Sequence, residues 1–487
     1  MNSDQNIIYS KKSDNNRLTI VLLSVFTLSF SVYGMYYSLD KGYELYALAG
    51  VIGIGVLFIF IKYPKLWIYS VMLITFMFFH GSSEGISILD VVTALLFNLF
   101  LYIWIFWEVL VNKGKLVKGV QDWFLLAFFG LLILNMFIAI FIGTPLEEWL
   151  SEYILSSTLL LYFPIRKYFT DKKDLVYLLI IFGISTVFAA FYHMYIYKES
   201  IIEKSIYVFE LGGSLKVNQA LYAICSAAGL MFLLNAKKLI VKAMLFLFVA
   251  LQFFSLLITF SRTFWLLLLI MVIVLFIYLK AKRLKILIYG FIISFFFIIS
   301  IFIVFPDNTD FVLGFFEKRF TSSSKGSEDV SVQARFEEWD LVFERIGQYP
   351  LGGSGLAKKI HFYSFLAGYS WHTSNIHNGY FALVHKVGIP FALFYFIPYF
   401  VFLFKAEWYA RKIKDVFWRQ VAIAAFLTLS MLAIGSFTSN QFLYRDTIFL
   451  ILISYGIIGI LDHNKKELIP NNTQNNYDKF PSNKENN

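Results

Sequence analysis

Apolar and polar positions along this chain come in long blocks. Apolar runs cover residues 18–37, 43–61, 66–80, 88–111, 123–142, 149–165, 174–195, 217–235, 239–260, 263–279, 286–305, 376–404, 417–436 and 447–461, separated by polar breaks. LTIVLLSVFTLSFSVYGMYY (18–37) and ILIYGFIISFFFIISIFIVF (286–305) reach the roughly 20 apolar residues that a helix needs to cross a bilayer. A transmembrane barrel would instead alternate in segments of about ten residues. The pattern therefore predicts an all-α polytopic membrane protein with about 12–14 transmembrane helices and one large extracytoplasmic loop. The runs at 66–80 and 149–165 are short, and the 376–404 run is too long for one straight span. Gly388-Ile389-Pro390 offers that last run a natural bend.

Composition strengthens the membrane reading. Of 487 residues, 59% are hydrophobic and 15% charged, and the mean hydropathy is +0.68. Soluble domains carry about 45–50% apolar and roughly 25% charged residues, so this chain cannot hide its apolar surface inside itself. The formal net charge of +10 invites a nucleic-acid partner, but the distribution of the bases argues against one. With the N-terminus placed in the cytoplasm, basic residues gather in the inside connections. These hold Lys62 and Lys65; Lys113, Lys115 and Lys118; Arg166, Lys167, Lys172 and Lys173; Lys237, Lys238 and Lys242; Lys280, Lys282, Arg283 and Lys285; and the group from Lys405 to Arg419. The outside turns HGSSEGISILD and GTPLEEWLSE hold none. The basic excess is thus largely a topology signal, with some attraction to anionic lipid headgroups. No small-residue cleavage site follows the first run, so its helix is expected to be retained. The single cysteine, Cys225, excludes an internal disulfide and shows no metal-ligand cluster.

The expected organisation is a cytoplasmic N-terminal tail at 1–17, a membrane domain of about eleven spans at 18–305, an extracytoplasmic loop at 306–375, the last three spans at 376–461, and a disordered cytoplasmic tail at 462–487. A loop of this length is functional or disordered more often than it is a plain connection. TSSSKGSEDVS reads as flexible. After it, Phe336, Trp339, Phe343 and Ile346 recur at helical spacing and Gly347 and Pro350 end the helix, which predicts an interfacial helix with Trp339 at headgroup level. Arg335 and Glu338 lie one turn apart on its more polar side. PLGGSGL (350–356) lacks the Gly-Lys-Ser/Thr of a phosphate loop and reads as a tight turn, whose amides are one way to approach a ligand.

WHTSNIHNGYFALVHKVGIP (371–390) then places His372, His377, Asn378 and Tyr380 at the mouth of an apolar run. The plain reading is a helix N-cap at Asn375 with interfacial histidines. Histidine, with an unperturbed pKa near 6.5, also suits a neutral base or a cationic partner for phosphate. A second polar intrusion shifts the balance. In LLITFSRTFWLLLL, Arg262 sits in a very tight connection between two apolar runs, where it should face an interior or an aqueous cavity with an anionic partner. Lys216 is expected on the same side.

TFSRTFWL resembles the Thr-x-Ser-Arg-x-x-x-Leu element of the O-antigen ligase and O-antigen polymerase superfamily. Arg335 to Trp339, PLGGSG and HNGYFALVHKVGIP match its loop helix, its glycine turn and its His-Asn pair, and VNQALYAICSAAGL its Asn-bearing span, in the family's order over roughly residues 215–405. The resemblance implies a membrane glycosyltransferase at the outer face of the cytoplasmic (inner) membrane, with both termini cytoplasmic. Its donor would be a polyprenyl-diphosphate-linked oligosaccharide and its acceptor a saccharide or a lipid. It points to Arg262, Arg335 and His377 as catalytic; Lys216, Glu338, His372, Asn378 and Tyr380, on the outer side with them, are expected to bind substrate. His372 is a departure from the family pattern and leaves two histidines eligible. No cofactor and no metal is expected, since arginines can stabilise a diphosphate leaving group. Partners would be the lipid bilayer and other envelope polysaccharide assembly proteins. A count of runs above the twelve usual for ligases leans toward a polymerase, with a ligase as the alternative. A lipid-linked oligosaccharide flippase would bury charge near the bilayer midplane, whereas here the polar groups gather at the rim.

Overall fold

The computed structural model describes residues 55–56, 58–78, 98–203, 218–304, 309–310, 313–314, 316–317, 321, 330–364 and 369–469. The expected tail at 1–17, the span at 18–37, most of that at 43–61, Lys216, the TSSSKGSEDVS segment (except Thr321, Val330 and Ser331) and the C-terminal tail beyond 469 lie outside these residues. Two compact units are distinguished, residues 1–68 and 69–487. The described part of the first is helical over 58–62 and again where α1 (Pro64–Phe78) begins.

The second unit is almost wholly helical, as the block pattern predicts. After α1 come α2 (Asn98–Val111), whose last turn widens into a π-helix at Trp107–Val111, and α3 (Val120–Phe141). The run expected at 149–165 is a bent rod: α4 (Leu146–Ser157), a 3₁₀ turn at Thr158–Leu161, and α5 (Tyr162–Tyr168). Then follow α6 (Lys172–Glu203), α7 (Gln219–Asn235), α8 (Leu239–Leu257), α9 (Arg262–Tyr278) and α10 (Arg283–Val304). The loop contributes α11 (Val330–Gln348) and a hairpin of β1 (Ile360–Ser364) and β2 (Tyr369–Thr373), paired antiparallel with Phe362 opposite Trp371. The overlong 376–404 run breaks into α12 (Gly379–Val387) and α13 (Ile389–Lys412), joined at Gly388, and α14 (Val416–Gly435), α15 (Arg445–His463) and α16 (Lys465–Leu468) complete the chain.

Among the described residues seven helices are long and apolar enough to cross a membrane, α3, α6, α8, α10, α13, α14 and α15, and four apolar helices are shorter. Burial ranks them. In α15 83% of the most apolar stretch is buried, against 18% in α10, so α15 is the central helix and α10 a peripheral one. Phe141, Leu239, Phe291 and Ile303 stand exposed on the outer helices. Such continuous apolar surface is a liability in water and the natural face toward lipid tails. The chain is an all-α polytopic membrane protein.

A buried ion pair sits near the ends of two of these helices. Asp122, in the first turn of α3, accepts from the backbone amides of Lys118 (2.7 Å) and Gly119 (3.1 Å) and from Arg166 of α5 at 2.6 Å, and Tyr162 donates to its other oxygen at 3.0 Å. Each carboxylate oxygen is thereby satisfied, which is the condition for keeping a buried pair.

Candidate functional site

Breaking the 376–404 run leaves three orphan polar groups at Gly388, and the glycine turn satisfies them. Ser354 and Gly355 donate their amides to the carbonyls of His385 (2.8 Å) and Lys386 (2.9 Å) at the end of α12, and the Ile389 amide that opens α13 donates to the Pro350 carbonyl at 2.8 Å. The two backbones meet so closely that only glycine fits on either side. A Cβ on Gly353 (φ +67°) would lie 2.4 Å from the Lys386 carbonyl oxygen, and one on Gly388 (φ +83°) 2.4 Å from that of Leu351. The PLGGSG turn is therefore a clasp on the helix break. Its amides at 353–357 all donate within the protein, to Tyr349, His385, Lys386, Asn135 and Glu152, so the expectation that they open toward a ligand is corrected.

A buried polar cluster holds the clasp against the membrane helices. Asn135 of α3 donates to the Gly352 carbonyl at 2.8 Å and the Lys386 carbonyl at 3.0 Å. It also accepts from Trp149 and from the Leu356 amide, both at 3.1 Å. Lys386, fully buried, reaches both oxygens of Glu152 at 2.7 and 2.9 Å. His385 is buried against Ser354, whose hydroxyl lies 3.0 Å from Nε2. Burial and the nearby Lys386, Arg345 and Lys358 push His385 down to about 3, so it stays neutral.

This clasp sets α12, and α12 sets His377. Asn378 is the N-cap: its side chain accepts from the amides of Tyr380 (3.0 Å) and Phe381 (3.2 Å). The cap expected at Asn375 thus lies three residues later, because Asn378 has the extended backbone a cap needs. The loop helix α11 sits on α12 through Trp339 and Phe343, whose rings meet Phe381 at 5.6 and 4.4 Å. Trp339 therefore also packs inside the protein, against Phe381. This seating carries Glu338, 3% exposed, beneath His377. Glu338 Oε2 accepts from the His377 amide at 2.9 Å and lies 3.1 Å from Nδ1. A carboxylate only accepts, so Nδ1 is a nitrogen that carries a proton, and Nε2 is the ring nitrogen that Glu338 does not engage. The imidazole is partly exposed, at 36%.

Arg262 opens α9 after a four-residue reversal from α8. Phe260 takes a left-handed φ of +51°, rare for a bulky residue, and the Trp265 indole donates to the Leu256 carbonyl at the end of α8 at 3.3 Å. One turn below Arg262, Phe264 and Leu267 flank Gly435 at the end of α14, and the next residue, Ser436, accepts from the Gly379 amide at 2.7 Å. Arg262 and His377 therefore stand at the same end of the bundle. Arg335, one turn before Glu338, joins them there. The Tyr444 phenol, which receives a hydrogen bond from the Asn375 side chain, lies within electrostatic reach of Asp446, Glu338 and Arg335.

The predicted site residues divide on this geometry. Arg262, Arg335, Glu338 and His377 are brought to one end. His372 stands apart on the hairpin, opposite His361, with the rings 6.2 Å apart. Asn378 is committed as a cap, and Tyr380, expected to meet substrate, donates its hydroxyl to the Ala433 carbonyl at 3.0 Å among Phe396, Phe437 and Phe442. Sequence reasoning missed Asn135, Glu152 and the segment Tyr444 to Asp446. An asparagine inside the apolar run LLILNMFIAI was the legible sign for the first, since a polar group at that depth needs a partner.

Residues 247–397, from the middle of α8 into the first half of α13, match the family model for O-antigen ligase. This stretch contains Arg262, Arg335, Glu338 and His377, and it stops short of Tyr444 and Arg445. No curated protein matches the chain. The matched domain lies over the end of the bundle where the arginines and the oriented histidine meet, and over that stretch the chain is similar to O-antigen ligase.

Proposed function

We propose that this protein is a polysaccharide polymerase of the cell envelope. It transfers a growing glycan from polyprenyl diphosphate to the hydroxyl of another lipid-linked saccharide at the extracytoplasmic face of the cytoplasmic membrane. The observation that carries the reading is the His377–Glu338 pair within the matched domain, at the bundle end shared with Arg262 and Arg335. Glu338 holds the Nδ1 proton and leaves Nε2 to take the proton of the acceptor hydroxyl. The acceptor oxygen bonds to the anomeric carbon as its bond to the diphosphate breaks. The leaving oxygen keeps the electron pair, and the two guanidiniums stabilise its charge with fork-like hydrogen bonds. This division of labour assigns no step to a metal ion. Glu338, engaged by the imidazole and the His377 amide, is not placed as a nucleophile, so transfer is a single displacement that inverts the anomeric carbon.

The test uses a deletion strain complemented with wild type, Arg262→Ala, Arg335→Ala or His377→Ala at matched protein levels, with analysis of surface glycan and the polyprenyl-linked pool. Single repeats on the surface acceptor in the deletion and in the variants support a polymerase. Long chains stranded on polyprenyl diphosphate would make the protein a ligase. Substrate held at the cytoplasmic face, or variants indistinguishable from wild type, would remove the catalytic reading and favour a flippase.

A further inference from the structure

The loop 436–444 joins α14 to α15 beyond the matched domain and touches both halves of the site. On one side, the Gln441 side chain meets Leu267 and Phe264, the residues one turn below Arg262, around the bare Cα of Gly435. On the other, Ser436 accepts from the Gly379 amide at 2.7 Å, two residues after His377, and Tyr444 receives the Asn375 side chain, two residues before it. The loop therefore bridges the helix that starts at Arg262 and the turn that carries His377.

Its hydrogen bonding is one-sided. The hydroxyls of Ser436, Thr438 and Ser439 donate to the carbonyls of Leu432 and Gly435. With its proton committed to Gly435, the Ser439 hydroxyl can only accept from Gln441, whose Nε2 lies 2.6 Å away; this fixes the amide with Oε1 on the opposite side. That Oε1 has no hydrogen-bond partner, and neither has Oδ1 of Asn440, although each residue is only 3% exposed. Oδ1 of Asn375, on the His377 side, is a third buried oxygen without one. Native proteins leave few buried acceptors unmet, because each carries its full desolvation cost.

The kind of group left over selects the ligand. Phosphate oxygens accept and do not donate, and an isoprenoid tail does neither, so the diphosphate and the lipid are both unsuited to these oxygens. Sugar hydroxyls and acetamido N–H groups are donors. We infer that Asn440, Gln441 and Asn375 form a saccharide subsite, accepting from the hydroxyl or acetamido groups of the sugar unit carried on the diphosphate, between Arg262 and His377. The inference rests on the proposed glycosyltransferase reading and adds to it two residues, Asn440 and Gln441, outside the matched domain. The three oxygens are shut from solvent in this structure, so the sugar reaches them by displacing the loop.

The test is equilibrium binding to the full chain in detergent micelles of two lipids: the polyprenyl-diphosphate-linked saccharide extracted from the deletion strain, and geranylgeranyl diphosphate, which bears no sugar. Wild type is compared with Asn440→Leu, Gln441→Met, Asn440→Asp and Arg262→Gln. Asn440→Leu and Gln441→Met should each weaken binding of the saccharide lipid about fivefold, with geranylgeranyl diphosphate held to within about twofold. Asn440→Asp keeps oxygen acceptors and removes the amide donors, so it should stay close to wild type; a loss as large as that of Asn440→Leu would overturn the acceptor assignment. Equal losses for both lipids mark a structural role and overturn the inference. So does wild-type affinity for the saccharide lipid in Asn440→Leu and Gln441→Met beside a weakened Arg262→Gln, a result that leaves the functional reading standing. If Asn440→Leu fails to accumulate, Gln441→Met decides by the same comparison. Wild-type affinity of Arg262→Gln for both lipids removes the functional reading itself.

Discussion

Removing Glu152 should destabilise the protein more than removing its partner Lys386, although the two form one ion pair. The side chain of Lys386 is 2% exposed and that of Glu152 19%. Deleting the carboxylate strands an ammonium that has no water to turn to, the situation that costs about 3–5 kcal/mol in buried pairs. Glu152→Ala also strips the Ala357 amide of its acceptor at 2.9 Å, adding about 1 kcal/mol. Lys386→Met leaves a carboxylate that keeps the Ala357 amide and some solvent, so its loss should be nearer 2 kcal/mol. The double variant Glu152→Ala/Lys386→Met leaves neither charge of the pair buried and should lose less than the sum of its singles. Unfolding titrations in mixed micelles, followed by tryptophan fluorescence, give the four free energies of the cycle. Equal single losses that add in the double variant to within about 0.5 kcal/mol would refute the argument, because a coupled pair cannot be additive.

Gly353→Ala should cost at least about 2 kcal/mol, since its Cβ meets a carbonyl in a left-handed backbone, while Gly347→Ala, with nothing within 4 Å, should be neutral or slightly stabilising; the same titrations compare them. His385, neutral when folded and held near 3, takes up a proton only on unfolding as pH falls below about 6.5, so native stability is full above that value and declines below it. The decline should approach 1.4 kcal/mol per pH unit, or about 2 kcal/mol at pH 5, and His385→Asn should flatten that part of the stability profile. Glu338→Gln preserves an acceptor for His377 but removes the charge that supports a protonated ring, so turnover should fall about 10²-fold with little change in KM, and Glu338→Ala should be worse. Transfer assayed with purified protein should survive chelation by EDTA, whereas abolition reversed by a divalent cation would contradict a leaving group stabilised by arginine alone.

The helices were legible because lipid imposes a length and a composition that the runs display openly. Even the break in the 376–404 run was readable from Gly388 and Pro390, since a proline in the first turn and a glycine before it end one helix and start another. The chemistry was half legible. Arg262 announced itself as a charge between two apolar runs, and His377 stood beside it only through the order of motifs. What the sequence could not show was which polar residues are consumed internally. Asn378, Tyr380 and the glycine-turn amides looked available because nothing in a linear chain reveals that a helix end, a carbonyl of α14 or a clasp already uses them. Glu152 and Asn135 lie more than 200 positions from their partners, a separation no local pattern can signal.

The clasp between the glycine turn and the helix break also decides what can be exchanged between this chain and another protein that carries a similar domain. Transplanting residues 330–379 alone would bring a turn cut to fit another protein's kink. Asn135 and Glu152 would then face a foreign backbone, and His377 would inherit the misfit through α12. The smallest interchangeable cassette is therefore discontinuous: the loop, the kinked helix pair, and the facing halves of α3 and α4. Chimeras built on that cassette should carry the acceptor preference of the loop donor, while loop-only chimeras should fail at assembly before their specificity can be read.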